Sequence, residues 1–354
     1  MTGSDASTPE VAVVIVNFRS TDVLMGCLES LERQRSSGPA FRVLICENGS
    51  GDGSDARLTS EIPRRGWSGW VELVVSTHNR GFTGGNNVLL HRIIERRPDV
   101  PFVLLLNPDT VVDPHAIERL HATMLAHPDW GVAGPGIHSP DGSLQTSCFN
   151  DPSPLGEFLK AANLGVLDRL LATSRTSKVP PHPPEPHDWT SFAAAMIRTD
   201  ALRQVGVFDE GFFAYYDDPD LCGRIRRAGW VIGHCPEATV IHLEGFSTGI
   251  QQVRRERRRL PAYQRRGRAR YFAKHDGVIG LWLANLAWQI GRSISWTKDL
   301  FLRRPPTGPI GLWKDHWCDA LHPWRTPHLP FPPLEESTSE VCFDRDRSLA
   351  ASSR

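Results

Sequence analysis

Three aspartates stand close together in the segment FFAYYDDPDLCGR, which covers residues 212–224. They are Asp217, Asp218 and Asp220, and four aromatic residues precede them. Burying an unpaired carboxylate costs free energy, so the cluster needs a reason. One reason is structural, because Asp218 before Pro219 is typical of a helix N-cap followed by proline in the first turn. The other is chemical: one of these carboxylates accepts a proton during a reaction. Taken alone, the segment favours the cap.

Polar residues and glycines also recur where predicted strands end. Strands are expected at 11–17, 41–47, 71–77 and 102–107, with helical patterns between them, and this alternation predicts an α/β domain with a mostly parallel sheet. Ligands of such sheets bind at the carboxyl ends of the strands. The residues that fall there are Asn17, Glu47, Asn79, Gly85, Asn86, Asn107 and Asp109.

The loops that carry these residues have two interpretations. Glycine and asparagine are turn formers, so a loop such as ENGSGDGS could be no more than a turn. Gly84 and Gly85 at a helix start are costly unless the backbone must approach something closely, such as a phosphate. Asp109 could cap a turn, but Asp113 is expected to cap the next helix, which leaves Asp109 without a structural role.

Further strands are expected within residues 189–198 and at 231–235 and 239–243. Two nucleotide-binding signatures are absent: the chain contains no GxxxxGK[ST], and NFRS instead of GxGxxG follows the first strand. These absences argue against a P-loop enzyme and against a dinucleotide-binding domain.

The composition indicates a protein of a reducing compartment. The 354 residues carry no formal net charge, so nothing in the overall charge predicts nucleic acid as a partner. The seven cysteines are scattered without a CxxC pair, which signals neither a zinc site nor a disulfide framework. The first residues lack the pattern of a secretory signal, and the predicted location is therefore cytoplasmic.

The C-terminal third has a basic segment followed by an apolar one. Residues 254–270 contain nine arginines and one glutamate, and the apolar run at 277–291 is too short, at 15 residues, to span a bilayer. The arginines could form a solvated helix face, pair with acidic groups of this neutral protein, or attract anionic lipid. With Trp282, Trp288 and Trp296 nearby, we expect peripheral contact with the inner face of the cell membrane.

Six segments together resemble the family 2 glycosyltransferases, in order and at suitable spacing over roughly residues 10–275. They are VAVVIVNFRS, VLICENGSGDGS, NRGFTGGNN, LLLNPDTVV, VGVFDEGFFAYYDDPDLCGRIRRAGW and VIH. NPD in place of DxD, together with the GFTGGNN loop, is most similar to bacterial rhamnosyltransferase-type enzymes of cell-wall and polysaccharide assembly.

The resemblance implies a GT-A fold, a nucleotide-diphosphate sugar donor, a divalent cation (Mg²⁺ or Mn²⁺) and inversion at the anomeric carbon. It favours L-rhamnose from dTDP-rhamnose as the sugar and a saccharide or polyprenyl-linked molecule as the acceptor. The expected domain spans 10–248, with a nucleotide-binding half at 10–130 and an acceptor half at 131–248. A disordered tail (1–9) precedes it; a basic, amphipathic helical extension (249–303) and a proline-rich, partly disordered tail (304–354) follow.

The resemblance also implies a role for each matching residue. Asp218 is the general base and Asp217 its partner in the acidic pair; Asp109 is a metal ligand, Asn107 replaces the first acid of the metal motif, and His242 completes the metal site. The positions expected at the nucleotide sugar are Asn17, Glu47, Asn79, Gly85 and Asn86. Phe192 stands where the family commonly has glycine, so its ring is expected to narrow the pocket.

Two other functions remain open from the sequence. A sugar nucleotidyltransferase would want a glycine-rich basic loop directly after the first strand, and NFRST matches that poorly. A catalytically impaired, transferase-like subunit could bind sugar nucleotide or act as a scaffold. The presence of Asp109, Asp218 and His242 together argues against it.

Overall fold

The computed structural model describes residues 10–164, 187–243, 253, 255–305 and 309–325. The expected N-terminal tail at 1–9 and the part of the expected C-terminal tail after Arg325 lie outside the described residues. Between them a single eight-stranded sheet organises the chain, and helices cover both of its faces.

Within the described residues, β-branched and apolar runs form ten strands. They are β1 (Val11–Asn17), β2 (Phe41–Asn48), β3 (Val71–Ser76), β4 (Phe102–Leu106), β5 (Thr110–Val112), β6 (Trp130–His138), β7 (Cys148–Phe149), β8 (Trp189–Thr190), β9 (Ala194–Arg198) and β10 (Val231–His242). The order in the large sheet is β3-β2-β1-β4-β9-β6-β10-β5, while β7 and β8 form a separate antiparallel pair.

The large sheet is mixed. Four neighbouring pairs are parallel, namely β1 with β2, β1 with β4, β2 with β3 and β6 with β10. The antiparallel strand β9 separates β4 from β6, and β5 pairs with β10 in the antiparallel direction. The carboxyl end of β4 therefore lies beside the start of β9, and this arrangement shapes the site below.

The described residues form ten α-helices, and six of them cover the two faces of the large sheet. They are α1 (Thr21–Glu32), α2 (Ser54–Arg64), α3 (Gly81–Arg96), α4 (Ala116–Ala126), α5 (Pro154–Ala162), α6 (Thr199–Val205), α7 (Asp217–Arg227), α8 (Ala262–His275), α9 (Gly277–Phe301) and α10 (Leu312–Ala320). Helices α1, α2 and α4 bury their apolar residues on one face of the sheet, and α3, α6 and α7 bury theirs on the other.

Three local predictions were wrong. Residues 231–242 form one strand with an irregularity after Cys235, not two strands. Helix α4 begins at Ala116, and Asp113 contributes only its carbonyl oxygen there, which accepts from the Ala116 amide. Helix α7 begins at Asp217, so Asp218 lies inside the first turn and Tyr216, not Asp218, is the N-cap residue.

The C-terminal helices pack against the rest of the chain. Helices α8, α9 and α10 share a third apolar cluster with Phe212, and α9 packs along α5. Arg268 in α8 is buried and donates to Glu157 in α5 at 2.7 Å and to Asn285 in α9 at 2.6 Å. One buried guanidinium thus joins three helices.

Candidate active site

Asp109 and His242 meet at the edge where β4 ends and β5 pairs with β10. The distance from Asp109 Oδ1 to His242 Nε2 is 3.4 Å, and Asp109 is 2 % exposed. His242 Nδ1 lies 3.3 Å from the side-chain oxygen of Gln145. If Nδ1 donates its proton to Gln145, Nε2 presents a lone pair toward the Asp109 carboxylate.

This pair fits a divalent cation. Asp109 Oδ1 is buried and makes no hydrogen bond in the described part of the chain, an arrangement that is costly without a positive partner. A carboxylate oxygen and an imidazole nitrogen are both competent ligands, and a hard cation takes its remaining ligands from phosphate and water. No group of three or more His, Cys, Asp or Glu side chains suited to a metal occurs among the described residues. Among the described residues, Asp109 and His242 are the two side chains placed to bind a cation here.

The three aspartates of α7 have different surroundings. Asp220 is buried, but Lys274 Nζ at 2.7 Å, His275 Nε2 at 2.9 Å and Arg224 Nε at 3.1 Å surround it. Burial acts to raise its pKa, and the hydrogen bonds from His275 and Lys274 outweigh that effect, so its pKa is lowered. Asp220 is therefore an ionised structural group with no capacity to spare for a proton.

Of the three aspartates of α7, Asp217 and Asp218 are the two with raised pKa values. Burial raises the pKa of Asp217 well above its ordinary value, and the neighbouring charge of Asp218 adds to the shift. Burial likewise raises the pKa of Asp218, although its Oδ2 accepts a hydrogen bond from the Phe192 amide at 3.0 Å. Asp217 is enclosed, whereas Asp218 keeps some exposed surface. Of the three aspartates of α7, only Asp218 combines a raised proton affinity with access from outside.

A short path of hydrogen bonds brings Asp218 to the end of β4. Phe192 donates to Asp218, and the next residue, Ala193, accepts from the Asn107 amide at 2.9 Å. Asn107 is two residues from Asp109, so the candidate base and the candidate metal ligand lie at the same sheet edge.

The Phe192 ring does not narrow a pocket at this edge. The residue is 1 % exposed, and its ring packs edge-on against Phe208 at 5.7 Å in the apolar cluster beneath the sheet. Its contribution to the site is the backbone amide that orients Asp218. The expectation of a narrowed site was wrong, because the ring is oriented toward the core.

The backbone before Asp218 is strained. Tyr215 and Tyr216 have φ angles of 70° and 67°, in the left-handed region that non-glycine residues avoid. Two consecutive residues in this conformation cost of order 1–3 kcal/mol each and are maintained only by their surroundings. Such strain is often found next to functional groups, and here it immediately precedes the two acidic residues.

Hydrogen bonds from the first turns of α3 hold the loop at 208–216, which leads into the aspartates of α7. The Phe82 amide donates to the Phe213 carbonyl at 2.8 Å, and Thr83 donates to the Phe212 carbonyl. Asn87 binds both backbone groups of Phe208 at 3.0 Å. Sequence reasoning missed Asn87, whose only signal was a second asparagine after Asn86.

Asn17 and Glu47, at the ends of β1 and β2, are buried and bonded to each other. Asn17 Nδ2 donates to Glu47 Oε2 at 2.6 Å, and Glu47 Oε1 accepts from the Ser50 amide at 2.7 Å. Ser50 in turn accepts from the Arg19 amide at 2.9 Å. These bonds fix the two loops that end the strands, at the place expected for the nucleotide.

The residues expected in the donor loop also have internal partners. Asn79 Oδ1 accepts from the Gly81 amide at 2.8 Å and from Asn48 Nδ2 at 3.1 Å. Asn86 donates to the Phe82 carbonyl within α3. A side chain at Gly85 would press on Val16 and Asn48, so glycine lets α3 approach the sheet closely. The glycine pair lies inside the first turns of α3 and does not open the helix.

An α/β sheet with an acidic pair on one helix and an Asp–His pair at the same edge defines a GT-A-type glycosyltransferase fold. A solved mannosyltransferase from Pyrobaculum calidifontis, in complex with GDP-Man and Mn²⁺, aligns with a TM-score of 0.52 at 15% identity, covering 91% of this chain and 83% of that one. The predicted fold class is confirmed.

The chain belongs to the family 2 glycosyltransferases. Residues 9–162 match the family described as "Glycosyltransferase like family 2", and residues 102–297 match "Glycosyl transferase family group 2". The N-acetylglucosaminyl-diphospho-decaprenol L-rhamnosyltransferase of Mycobacterium tuberculosis is 30% identical over 268 residues, 74% of this chain and 83% of that protein. The low-salt glycan biosynthesis hexosyltransferase of Haloferax volcanii is 26% identical, over 66% and 67%.

These similarities confirm the predicted enzyme class and the likeness to rhamnosyltransferases of polysaccharide and cell-wall assembly. The roles of individual site residues and the domain boundaries stay predictions. No helix in the described ranges is long and apolar enough to cross a membrane.

Proposed function

We propose that this glycosyltransferase transfers a sugar with inversion at the anomeric carbon in a metal-dependent reaction. The favoured donor is dTDP-rhamnose, which supplies L-rhamnose, and the acceptor is a polyprenyl-linked saccharide. The observation that carries the reaction is the contrast within α7, where Asp220 is neutralised by Lys274 and His275 while Asp218 has a raised pKa and an accessible carboxyl. The rhamnosyltransferase from M. tuberculosis supports the choice of donor and acceptor.

In this proposal Asp218 removes the proton of the acceptor hydroxyl as its oxygen attacks the anomeric carbon. The bond from that carbon to the nucleotide diphosphate breaks, and the diphosphate leaves with the bonding electrons. The Phe192 amide holds Asp218 in place, and burial raises the proton affinity of Asp218. Asp217, its partner in the acidic pair, lies enclosed beside it. Asp109 and His242 would hold a divalent cation, and that cation would supply positive charge to offset the charge of the leaving diphosphate.

The nucleotide would bind across the ends of β1, β2 and the first turn of α3. Glu47 would contact the base and Asn17 would lie beside the nucleotide, while Asn79, Gly85 and Asn86 would position the donor from the α3 side. Asn107 would lie beside the diphosphate next to Asp109. Because a polyprenyl acceptor resides in a bilayer, we place the enzyme at the inner face of the cell membrane.

Release of nucleoside diphosphate from a panel of nucleotide sugars, with Mg²⁺, with Mn²⁺ and with EDTA, tests this proposal. We expect release from dTDP-rhamnose that EDTA abolishes and that acceptor accelerates. Asp109→Ala should weaken metal-dependent donor binding, whereas Asp113→Ala, four residues away, should not. Release from no donor under any condition would instead favour a scaffold, and production of nucleotide sugar from triphosphate would favour a nucleotidyltransferase.

A further inference from the structure

The longest helix, α9, has two apolar faces. One face packs on α5, α8 and α10 through residues such as Leu281, Ala284 and Trp288. The opposite face is exposed and is also apolar over four turns. We call this second face the α9 outer face; it consists of Ile279, Trp282, Leu283, Leu286, Ile290 and Ile294, which are between 37% and 77% exposed.

Other large apolar side chains of the C-terminal helices are exposed as well. Leu300, Phe301 and Leu302 are exposed at the end of α9, and Trp313 and Trp324 are exposed at α10 and after it. Soluble proteins seldom expose contiguous apolar patches of this kind unless the patch binds something. Tryptophan at such a surface is typical of contact with the boundary between water and lipid.

The charges of this region fit an anionic bilayer. Residues 276–325 contain four carboxylates: Asp276, which directly precedes α9, is exposed, Asp299 is buried, Asp315 is buried against Arg259, and Asp319 pairs with Arg265 at 2.6 Å. The exposed charges beyond Asp276 are cationic, at Arg303, Arg304, Lys314 and Arg325. Lipid phosphates would pair with these cations.

The arginine-rich segment before α9 contributes less than its composition suggests. Arg259, Arg265, Arg268 and Arg270 are ion-paired with Asp315, Asp319, Glu157 and Asp209. Of the sequence alternatives, pairing with acidic groups of the same protein is the one that these four arginines adopt. Membrane contact through them would require breaking those pairs.

We propose that the α9 outer face lies in the headgroup region of an anionic lipid bilayer, parallel to its plane, as the docking surface of this enzyme. This inference rests on the proposed function in one respect, because a bilayer is where a polyprenyl-linked acceptor resides. Helix α9 follows α8, whose Lys274 and His275 bind Asp220 of the base-bearing helix α7. Docking therefore fixes the orientation of the candidate site relative to the membrane.

Flotation of the full chain with vesicles of phosphatidylcholine and phosphatidylglycerol tests the docking surface. Replacing Ile279, Leu283, Leu286 and Ile290 together by serine should weaken binding by about tenfold or more, since burial of apolar area drives interfacial attachment. Two single variants form a matched comparison. Leu286→Ser should weaken binding, whereas Leu125→Ser, at a similarly exposed position on α4, should not.

Salt and vesicle composition separate this mechanism from attraction by charge alone. Binding should weaken in high salt or on pure phosphatidylcholine but persist, because apolar burial is not screened. Binding that high salt abolishes completely would overturn the proposal. So would a wild-type dimer that the quadruple variant converts to monomer by light scattering while vesicle binding is unchanged.

The result can be separated from the fate of the proposed reaction. The four serines lie away from the candidate site, so the variant should unfold at the wild-type temperature and release nucleoside diphosphate at the wild-type rate in vesicle-free solution. If neither protein releases diphosphate, the reaction proposal fails while flotation still decides the docking surface.

Discussion

Asp217 and Asp218 are adjacent in sequence, yet their surroundings give them different properties. Both have raised pKa values because burial disfavours their charged forms. Asp217 is enclosed, while Asp218 is accessible and is held by the Phe192 amide. Asp218 therefore has both the raised proton affinity and the access that a general base needs.

Asp218→Asn should separate binding from turnover. Asparagine keeps the hydrogen bond from Phe192 but cannot accept the proton, so turnover should fall by about 10²–10⁴-fold while donor affinity stays within about twofold. Isothermal titration with the donor and a diphosphate-release assay measure the two quantities. Turnover near the wild-type level would refute the assignment of the base.

Asp217→Asn should stabilise the protein in a pH-dependent way. With a pKa above its unfolded value of 3.8, folded Asp217 keeps its proton where the unfolded chain has released it. Its contribution to the free energy of unfolding is therefore complete below 3.8 and is lost as pH rises through the folded pKa. The variant should melt about 2–4 °C above wild type at pH 8, with a gap that shrinks toward pH 5.

Thermal unfolding followed by circular dichroism across that range measures the gap. Asp220→Asn is the contrasting variant. The folded pKa of Asp220 is lowered, so its ionised form stabilises the fold at pH 8. The Asp220→Asn substitution should therefore destabilise the protein at that pH. An equal gap for Asp217→Asn at every pH would mean that the enclosed carboxyl is not the source of the effect.

At the scale of elements, the junction between α3 and the 208–216 loop positions the acidic pair. Gly81 has a φ of 73°, and a side chain there would overlap the carbonyl oxygen of Phe213. Phe213 is four residues from Asp217, and Tyr215 and Tyr216 between them are already strained. Displacement of this junction should therefore reach the candidate base.

Gly81→Ala should lower both stability and turnover. A left-handed alanine costs about 1–2 kcal/mol, and the overlap with Phe213 adds about 1–3 kcal/mol. Gly66→Ala is the matched control, because Gly66 has a φ of 72° but open space around its α-carbon, and it lies between α2 and β3, away from the strand ends of the candidate site. Denaturant unfolding should therefore rank Gly81→Ala well below Gly66→Ala. Only the former should reduce diphosphate release; equal losses would remove the role given to the junction.

Local patterns predicted the elements that are local in nature. The strands before residue 107 and the polar residues at their ends follow from continuous apolar runs and the loops after them, and the structure has them within a residue or two. Strand β9 was expected as a strand, but its insertion between β4 and β6 depends on partners far away in the chain.

The parts of the site that sequence missed depend on contacts between distant segments. Gln145 contacts His242, 97 residues later, and no local pattern announces that contact. The Asp-Pro pair at 218–219 is typical of an N-cap followed by the first turn, but the left-handed Tyr216 is the N-cap and the helix starts two residues earlier than that pair predicts. Tertiary contacts at Phe213 and Phe192 dictate that start.

For the whole molecule, the C-terminal helices are part of the structural core of the enzyme. Arg268 and Glu157 are both buried, and their ion pair joins α8 to α5, with Asn285 of α9 as a third partner. Burial acts to raise the pKa of Glu157, but the charge of Arg268 lowers it overall. The pair holds the docking helix and the catalytic domain together.

Glu157→Ala should destabilise the protein by about 3–5 kcal/mol, because it leaves the Arg268 charge buried without its carboxylate. The double variant Glu157→Ala with Arg268→Met should recover part of that loss. Asp200→Ala, which breaks the exposed pair with Arg203, should cost less than about 1 kcal/mol. Urea unfolding measures all three, and a small loss for Glu157→Ala would show that the helices are held by apolar contacts alone.

The position of β9 in the sheet also leaves one strand edge unpaired while the chain is being synthesised. Strands β1 to β4 can pair as soon as residue 106 is made, yet the outer edge of β4 has no partner until β9 is complete at Arg198. At a synthesis rate of about 5–20 residues per second, that edge of β4 stays unpaired for several seconds. Unpaired strand edges invite association with other chains, so nascent copies of this enzyme should depend on chaperone protection during that interval.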